Sequence, residues 1–504
     1  DSHLEISATN PAYAVDFAPD RRIRFAGALL TARTERGGRV GGALTGGVFE
    51  DPAVPANVSE IAARWTSGSE GGRNVVRLID GVATLSDKKP IDGAPVPAAP
   101  AAAAAVTPDT ARAMTAAAET TVRPAWIPRF NPVRVGDLDA TLIGSKIDAT
   151  GVIDLITGDR RLAALTVHHD LKAGEGIADI DNAALVFNDK LDLFEITELA
   201  RGVVDGVTGP VAIDLRAAWD NDGMKTGGHV ILSDVNLNAA ALGPVTGLSG
   251  DIAFNDLALM TTPPGQTLTV KRLNPGVVVE DGVINFQLLG ADRVRMESAA
   301  WPFAGGRLSV DPQDVIIGDD DFRMTLTLRE VDVARFLQQL ELKDLTATGT
   351  VEGSFPLIFN REGGAIDGVG MLRAAPGGGT ISYTGNAGTG LVGAPQIAFE
   401  ALRNFRYDDL VLELAGKLDG ELVTAIRFNG TNQEPVDVVT GPMAAPIPGL
   451  GRIRATGLPF KFTVSVRAPF RRLMQTSDGI NDARPLVDEA IRNGTVDPAP
   501  QPPK

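Results

Sequence analysis

Apolar and polar side chains alternate strictly from Phe322 to Arg329, with Met324, Leu326 and Leu328 separated by Arg323, Thr325, Thr327 and Arg329. A period of two sends successive side chains to opposite faces of a sheet, so this segment is expected to be a half-buried strand. A short amphipathic piece follows from Val333 to Leu342, with Phe336, Leu337 and Leu340 at helical spacing. Strand signals resume at Leu345 and are punctuated by Gly349, Gly353 and Pro356. Ile366–Asp367–Gly368 predicts a tight turn, and Pro376 with three glycines leads into Ile381–Ser382–Tyr383. The same pattern runs from Val133 to Val466 as short apolar segments, such as Val152–Ile156, Leu162–Val167 and Ile284–Leu289. Asp220–Asn221–Asp222–Gly223, Glu280–Asp281–Gly282 and Asp419–Gly420 read as turns between them. The last strand is the cleanest, with Phe460, Phe462, Val464 and Val466 alternating against Lys461, Thr463, Ser465 and Arg467. No long helical pattern separates the strands, which argues against a doubly wound α/β fold. The expectation is an all-β chain: a long, twisted, mostly antiparallel sheet with a few short helices.

The ends differ from this middle. Residues 1–90 read as a β-rich segment with candidate strands Ile23–Gly27 and Val75–Ile79, and with Ile61 to Trp65 as one helical turn. Residues 91–132 form an Ala/Pro-rich linker or insertion, marked by Pro95, Pro97, Pro100 and the alanine run Ala101–Ala105. Residues 133–468 are the main sheet. Residues 469–504 are expected to hold short helices, Phe470–Gln475 and Pro485–Arg492, and a disordered Pro-rich tail.

Composition narrows the function classes. A net charge of −16 opposes nucleic-acid binding, which needs clustered Lys and Arg. The absence of cysteine excludes disulfide scaffolds, thiol catalysis and Cys-ligated metals. No apolar run is long enough for a membrane-spanning helix. The opening Asp1–Ser2–His3 carries no signal-peptide pattern, so the chain reads as a fragment or processed product with any anchor lying upstream.

Candidate chemistry is sparse. His168 and His169 are neighbours and point to opposite faces of a strand, so they cannot chelate one metal together. Asp319–Asp320–Asp321 reads as a solvated turn, and Asp220–Asn221–Asp222–Gly223 lacks the remaining ligands of a calcium loop. Gly349 to Gly353 is not followed by a helix, and Gly377–Gly379 lacks the Lys of a phosphate loop. No Gly-x-Ser-x-Gly elbow is present. No enzyme activity, cofactor or metal is expected. The apolar rows themselves suit either a closed β-sandwich core or an open wall. The wall is favoured because the pattern continues without the breaks that sandwich domains of about 100 residues impose. The low aromatic share of 5% also suits a smooth aliphatic surface.

A set of ordered motifs resembles the YdbH family of AsmA-like and TamB-like envelope proteins, whose C-terminal region carries an old dicarboxylate-transport label. The motifs are Thr262–Leu268 with Asn274–Pro275–Gly276, Ala299–Gly306, the stretch from Leu345 to Tyr383, Ala401–Tyr407, Gly430–Thr431–Asn432 and Pro459–Phe460. They cover Val203 to Leu473, and the Ala/Pro-rich segment stands outside them.

The resemblance implies a bridge-like lipid transfer protein of the Gram-negative periplasm. Its sheet would curl into an open apolar groove of the β-taco type and carry phospholipid between inner and outer membrane without chemistry. It also implies an inner-membrane anchor at the N-terminus and a small outer-membrane lipoprotein at the C-terminal sheet edge. A phospholipid's roughly 30 methylenes cost about 0.8 kcal/mol each in water, so a continuous apolar path removes most of the barrier. Stacking about 25–35 strands at about 4.8 Å gives a sheet of roughly 120–170 Å before twist. The residues expected to line the groove are Ile252, Phe254, Val277, Val279, Ile284, Phe286, Leu288, Met324, Leu326, Leu328, Phe460, Phe462, Val464 and Val466. Their facing depends on register, which a one-residue slip inverts. The Val333–Leu342 helix is expected to plug or cap the groove. The alternatives are an outer-membrane protein assembly factor of the TamB type and a passive β-solenoid with a dry core.

Overall fold

The computed structural model describes residues 4–18, 21–34, 39–52, 54–88, 127–157, 160–239, 242–274, 278–317, 322–339, 344–360, 363–385, 394–417, 421–439 and 452–469. The expected linker core at 92–123, the Asp319–Asp321 turn, the Asp419–Gly420 turn, Val277 and the helices after residue 469 lie outside these. Among the described residues the chain is all-β, and 28 strands belong to one sheet. Every pairing with a resolved register is antiparallel, as in Phe405–Gly416 against Glu421–Asn432, and Glu421–Asn432 against Pro459–Pro469. Glu5–Thr9, Ala12–Ala18 and Pro459–Pro469 each have a partner on one side only among the described residues, so the sheet is not closed. Among the described residues helix is limited to Val333–Gln339, Ala394–Ala401 and two single 3₁₀ turns. No helix among the described residues is long and apolar enough to cross a membrane.

The chain divides into two compact units. The first comprises Asp1–Arg201, Gly206–Leu232 and Ile252–Thr262; the second comprises Gly202–Asp205, Ser233–Asp251 and Pro263–Lys504. In the first unit, Val40–Glu50, Ala56–Glu70, Arg73–Asp87, Val133–Ile143 and Lys146–Leu155 pair in sequence order. Ile61 to Trp65, expected as a helical turn, lies inside Ala56–Glu70 and pairs on both sides. Hydrogen bonds to two neighbouring strands outweigh the modest helix preference of its two alanines.

The strands are far longer than their apolar segments suggested. Val211–Leu215 and Val230–Leu232 are the middles of the 17-residue strands Val204–Asp220 and Gly223–Ala239. Between them, Asp220–Gly223 is the expected hairpin turn: the Asp220 carboxylate accepts from the Asp222 N–H at 2.8 Å and the Gly223 N–H at 3.2 Å. Glu280–Asp281–Gly282, expected as another turn, lies within the strand Val279–Leu288. Asp281 sits there at φ +56, a left-handed conformation inside an extended run. Glu60, Asp80, Asp137, Asp234 and Glu330 do the same. Those at Glu60, Asp80 and Asp137 coincide with register shifts on adjacent strands. One extra residue bends its strand and steepens its twist without ending the pairing.

Among the described residues the first unit carries one buried ion pair. Arg129 binds Asp87, whose side chain is 1% exposed, and also donates to the carbonyls of Pro55 at 2.8 Å and Ala258 at 2.6 Å. This clamp joins the chain on either side of residues 89–126.

Candidate functional site

Residues directly opposite one another in a sheet share a face, so the register shows which apolar rows align. In the second unit, Trp301 stands opposite Leu308, Leu308 opposite Leu328, and Leu328 opposite Gly353. Gly353 then faces Leu372, Leu372 faces Leu412, Leu412 faces Ile426, and Ile426 faces Val464. A second row runs beside it through Leu268, Ile284, Ala299, Val310, Leu326 and Phe355. In the second unit one sheet face therefore carries aligned apolar rows, aliphatic and aromatic, from Gln266–Leu273 to Glu421–Asn432.

Burial along this face is graded. Val279, Met324 and Leu328 are buried in its central cluster at 2%, 4% and 8% exposure, together with Val270, Leu308, Val310 and Leu372. Ile284, Leu326, Phe355, Leu410, Leu412 and Leu414 pack against that cluster and stay half-buried. The helix Val333–Gln339 lies on the same face: Val333 and Phe336 touch the cluster, and the Phe336 ring is 5.8 Å from that of Phe303. The expected helix Val333–Leu342 is described as far as Gln339; residues 340–343 lie outside the described set.

The remaining expected residues are distributed as follows. Phe286 is buried and Leu288 half-buried on the strand that carries Ile284. Phe460 and Phe462 pack half-buried against Phe405, Tyr407 and Phe428. Val464 and Val466 occupy register positions opposite Ile426 and Thr424. Ile252 and Phe254 fall in the first unit, half-buried at the end of Gly243–Phe254.

An aromatic cluster emerges that the sequence reading did not assemble. Phe428 stacks on Phe462 at 4.8 Å, and Phe405 meets Phe462 edge-on at 5.2 Å. Tyr407 is fully buried, and its hydroxyl donates to the Thr348 carbonyl at 2.7 Å. Burial pushes its phenol pKa above the ordinary value. The available signal was the alternation of Phe405 and Tyr407 around Arg406, matching that of Phe460 and Phe462 around Lys461.

Apart from the buried Arg129–Asp87 pair, most ion pairs among the described residues are exposed. Arg295 donates to Asp314 at 2.8 Å, and that hydrogen bond holds the Asp314 carboxyl below the usual carboxylate range. His168 meets the Asp148 carboxylate at 2.7 Å, whereas His169 accepts from the Trp219 indole at 3.2 Å. The two rings diverge, as strand alternation requires. No cluster of three His, Asp or Glu with metal-binding geometry occurs among the described residues.

A family model described as YdbH-like, intermembrane phospholipid transport protein YdbH, matches residues 92–482. The match begins within the Ala/Pro-rich stretch and so extends beyond the motifs between Val203 and Leu473. Neither the curated proteins nor the solved structures gave a match to the chain. With well over half of its length matched, the chain belongs to the YdbH-like family.

Proposed function

We propose that this chain carries phospholipids between the inner and outer membranes across the periplasm, moving them along an apolar groove formed by the curl of its sheet. The observation that carries this reading is the register-aligned apolar face of the second unit, taken together with the family match. A lipid moving along such a face exchanges one set of apolar contacts for another. It never pays the hydration cost of its chains, which at about 0.8 kcal/mol per methylene would otherwise be prohibitive. No bond need form or break.

The graded burial supports two roles within the face. Buried residues such as Val279, Met324 and Leu328 hold neighbouring strands together. The half-buried Ile284, Leu326, Phe355, Leu412 and Leu414 are the groove wall that acyl chains touch. The helix Val333–Gln339, seated on the same face through Val333 and Phe336, covers part of that wall. Among the described residues Pro459–Pro469 pairs on one side only, and its other edge can accept one more strand, which is how a small outer-membrane lipoprotein would dock. An inner-membrane anchor would complete the bridge.

The test is purification of the folded chain without detergent, followed by native mass spectrometry and lipid extraction. Several phospholipids per chain are expected. A folded chain free of lipid would overturn the reading in favour of a closed solenoid. Bound outer-membrane protein segments in place of lipid would favour an assembly factor.

A further inference from the structure

We propose that an open depression in the first unit binds the anionic headgroup of a phospholipid through Arg160, Arg161 and Lys190. The depression has a volume of about 330 Å³, at the lower end of the range for small-ligand sites. Among the described residues its lining holds these three cations and no carboxylate, in a chain whose Asp and Glu outnumber Lys and Arg by 63 to 47.

Arg160 and Lys190 make no ion pair among the described residues, and Arg161 makes only long ones. Arg160 donates to the Lys190 backbone carbonyl. Lys190 itself sits in a tight turn: its N–H donates to the Asn188 side chain at 2.8 Å, while Asn188 and Leu191 exchange backbone hydrogen bonds at 3.1 and 3.0 Å. Arg161 lies 3.5 Å from Asp137 and 3.8 Å from Asp154. Pairs that long on an exposed arginine are weak and readily exchanged for a better anion. A phosphate diester offers the planar guanidinium and the compact ammonium matched acceptors.

The floor of the depression favours an amphiphile over a free anion. Apolar residues line it too: Leu185 and Leu191 are 8% and 1% exposed, and Val186, at 47%, offers the accessible apolar surface. A glycerophosphate head with the start of its acyl chains satisfies both the rim and the floor. Inorganic phosphate uses the rim alone.

This inference rests on the phospholipid-carrying reading, and the experiment separates the two. Folded chain is incubated with vesicles of phosphatidylcholine mixed with phosphatidylglycerol, re-isolated, and its bound lipid quantified by mass spectrometry. The parent should retain phosphatidylglycerol in excess of the share offered. The double variant Arg160→Gln, Lys190→Gln should lose that enrichment by about tenfold, since charge-assisted hydrogen bonds set it. The swap Arg160→Lys, Lys190→Arg should keep most of it, and matched thermal melts confirm folding. Equal enrichment by parent and double variant overturns the headgroup site while leaving lipid carriage intact. Calorimetric binding of inorganic phosphate without lipid enrichment makes this a free-anion site and also overturns the proposal. A parent that retains no lipid at all sinks the carrier reading instead, and the headgroup site with it.

Discussion

Replacing Arg129 by Met isolates the buried clamp of the first unit. The Asp87 side chain is 1% exposed and that of Arg129 13%, so neither charge is well hydrated. Removing one partner of such a pair typically costs about 3–5 kcal/mol, because the other charge is left uncompensated. Here Asp87 would still accept from the backbone N–H of Arg129 at 2.6 Å and of Lys88 at 2.8 Å. Those two donors soften the loss, whereas the carbonyls of Pro55 and Ala258 lose theirs at about 1 kcal/mol each. The two adjustments roughly cancel, and the expected cost stays near 3–5 kcal/mol. Pulse proteolysis in urea on the parent, Arg129→Met, Asp87→Asn and the double variant closes a double-mutant cycle. The double variant should be clearly more stable than the sum of the singles implies, with a coupling of about 2 kcal/mol or more. Arg129→Lys should recover less than half, because an ammonium cannot reach three acceptors in the guanidinium's planar geometry. A single-variant cost within about 0.5 kcal/mol of zero, the range of an ordinary surface change, would refute the reasoning.

Three further outcomes follow from the second unit. A Cβ on Gly353 would lie 1.9 Å from the Met371 carbonyl oxygen of the neighbouring strand, so Gly353→Ala should cost at least about 1–3 kcal/mol in a melt, while Gly290→Ala, whose nearest neighbour is 3.6 Å away, is tolerated. Tyr407→Phe should cost about 1 kcal/mol by leaving the Thr348 carbonyl unpaired. Because the folded pKa of Tyr407 is raised, its contribution is fully present below the unfolded tyrosine pKa and is lost as pH rises through the folded value; a tyrosinate absorbance titration should show one late-ionising phenol that vanishes in Tyr407→Phe. Leu326→Asp and Leu412→Asp place a carboxylate on the half-buried wall, and each should sharply reduce co-purified phospholipid while the β circular-dichroism signal persists; gross unfolding would mean a closed core there.

Much of this architecture was legible in the residues. Phe322–Asp332 and Pro459–Pro469 were plain because strict alternation survives where one face is apolar and the other wet. The alignment of rows was not legible, because opposing residues such as Leu328 and Leu372 meet only through Gly353, a position with no side chain to reveal its face. The aromatic cluster was missed for a related reason: Phe405, Phe428 and Phe462 come from three separate strands, and only the register brings them together. Strand length was underestimated because an acidic residue followed by glycine reads as a hairpin turn, as at Asp281–Gly282.

Left-handed residues within the long strands keep one face apolar. Along Val279–Leu288 the central cluster takes Val279 and then Ile284, an odd position followed by an even one. Perfect alternation would send those two side chains to opposite faces. The left-handed residue Asp281 lies between them and resets the frame. The strand Phe322–Asp332 behaves alike: Met324 and Leu328 are even, Val331 is odd, and Glu330 at φ +54 separates them. In Gly243–Phe254 the reset falls at Gly247, φ +69, between Val245 and Leu248. A non-glycine residue held at positive φ costs of order 1 kcal/mol or more, so the conformation must be offset by its surroundings. The offset is the burial of the apolar side chains beyond the reset, each contributing about 1.5–3 kcal/mol that a frame left unshifted would forfeit to solvent. The resetting residues Asp281 and Glu330 are exposed, and a short acidic side chain such as Asp tolerates the left-handed region better than a branched one. At Asp281 and Glu330 acidic punctuation therefore marks a change of frame through which the strand continues, whereas at Asp220–Gly223 the strand ends in a turn.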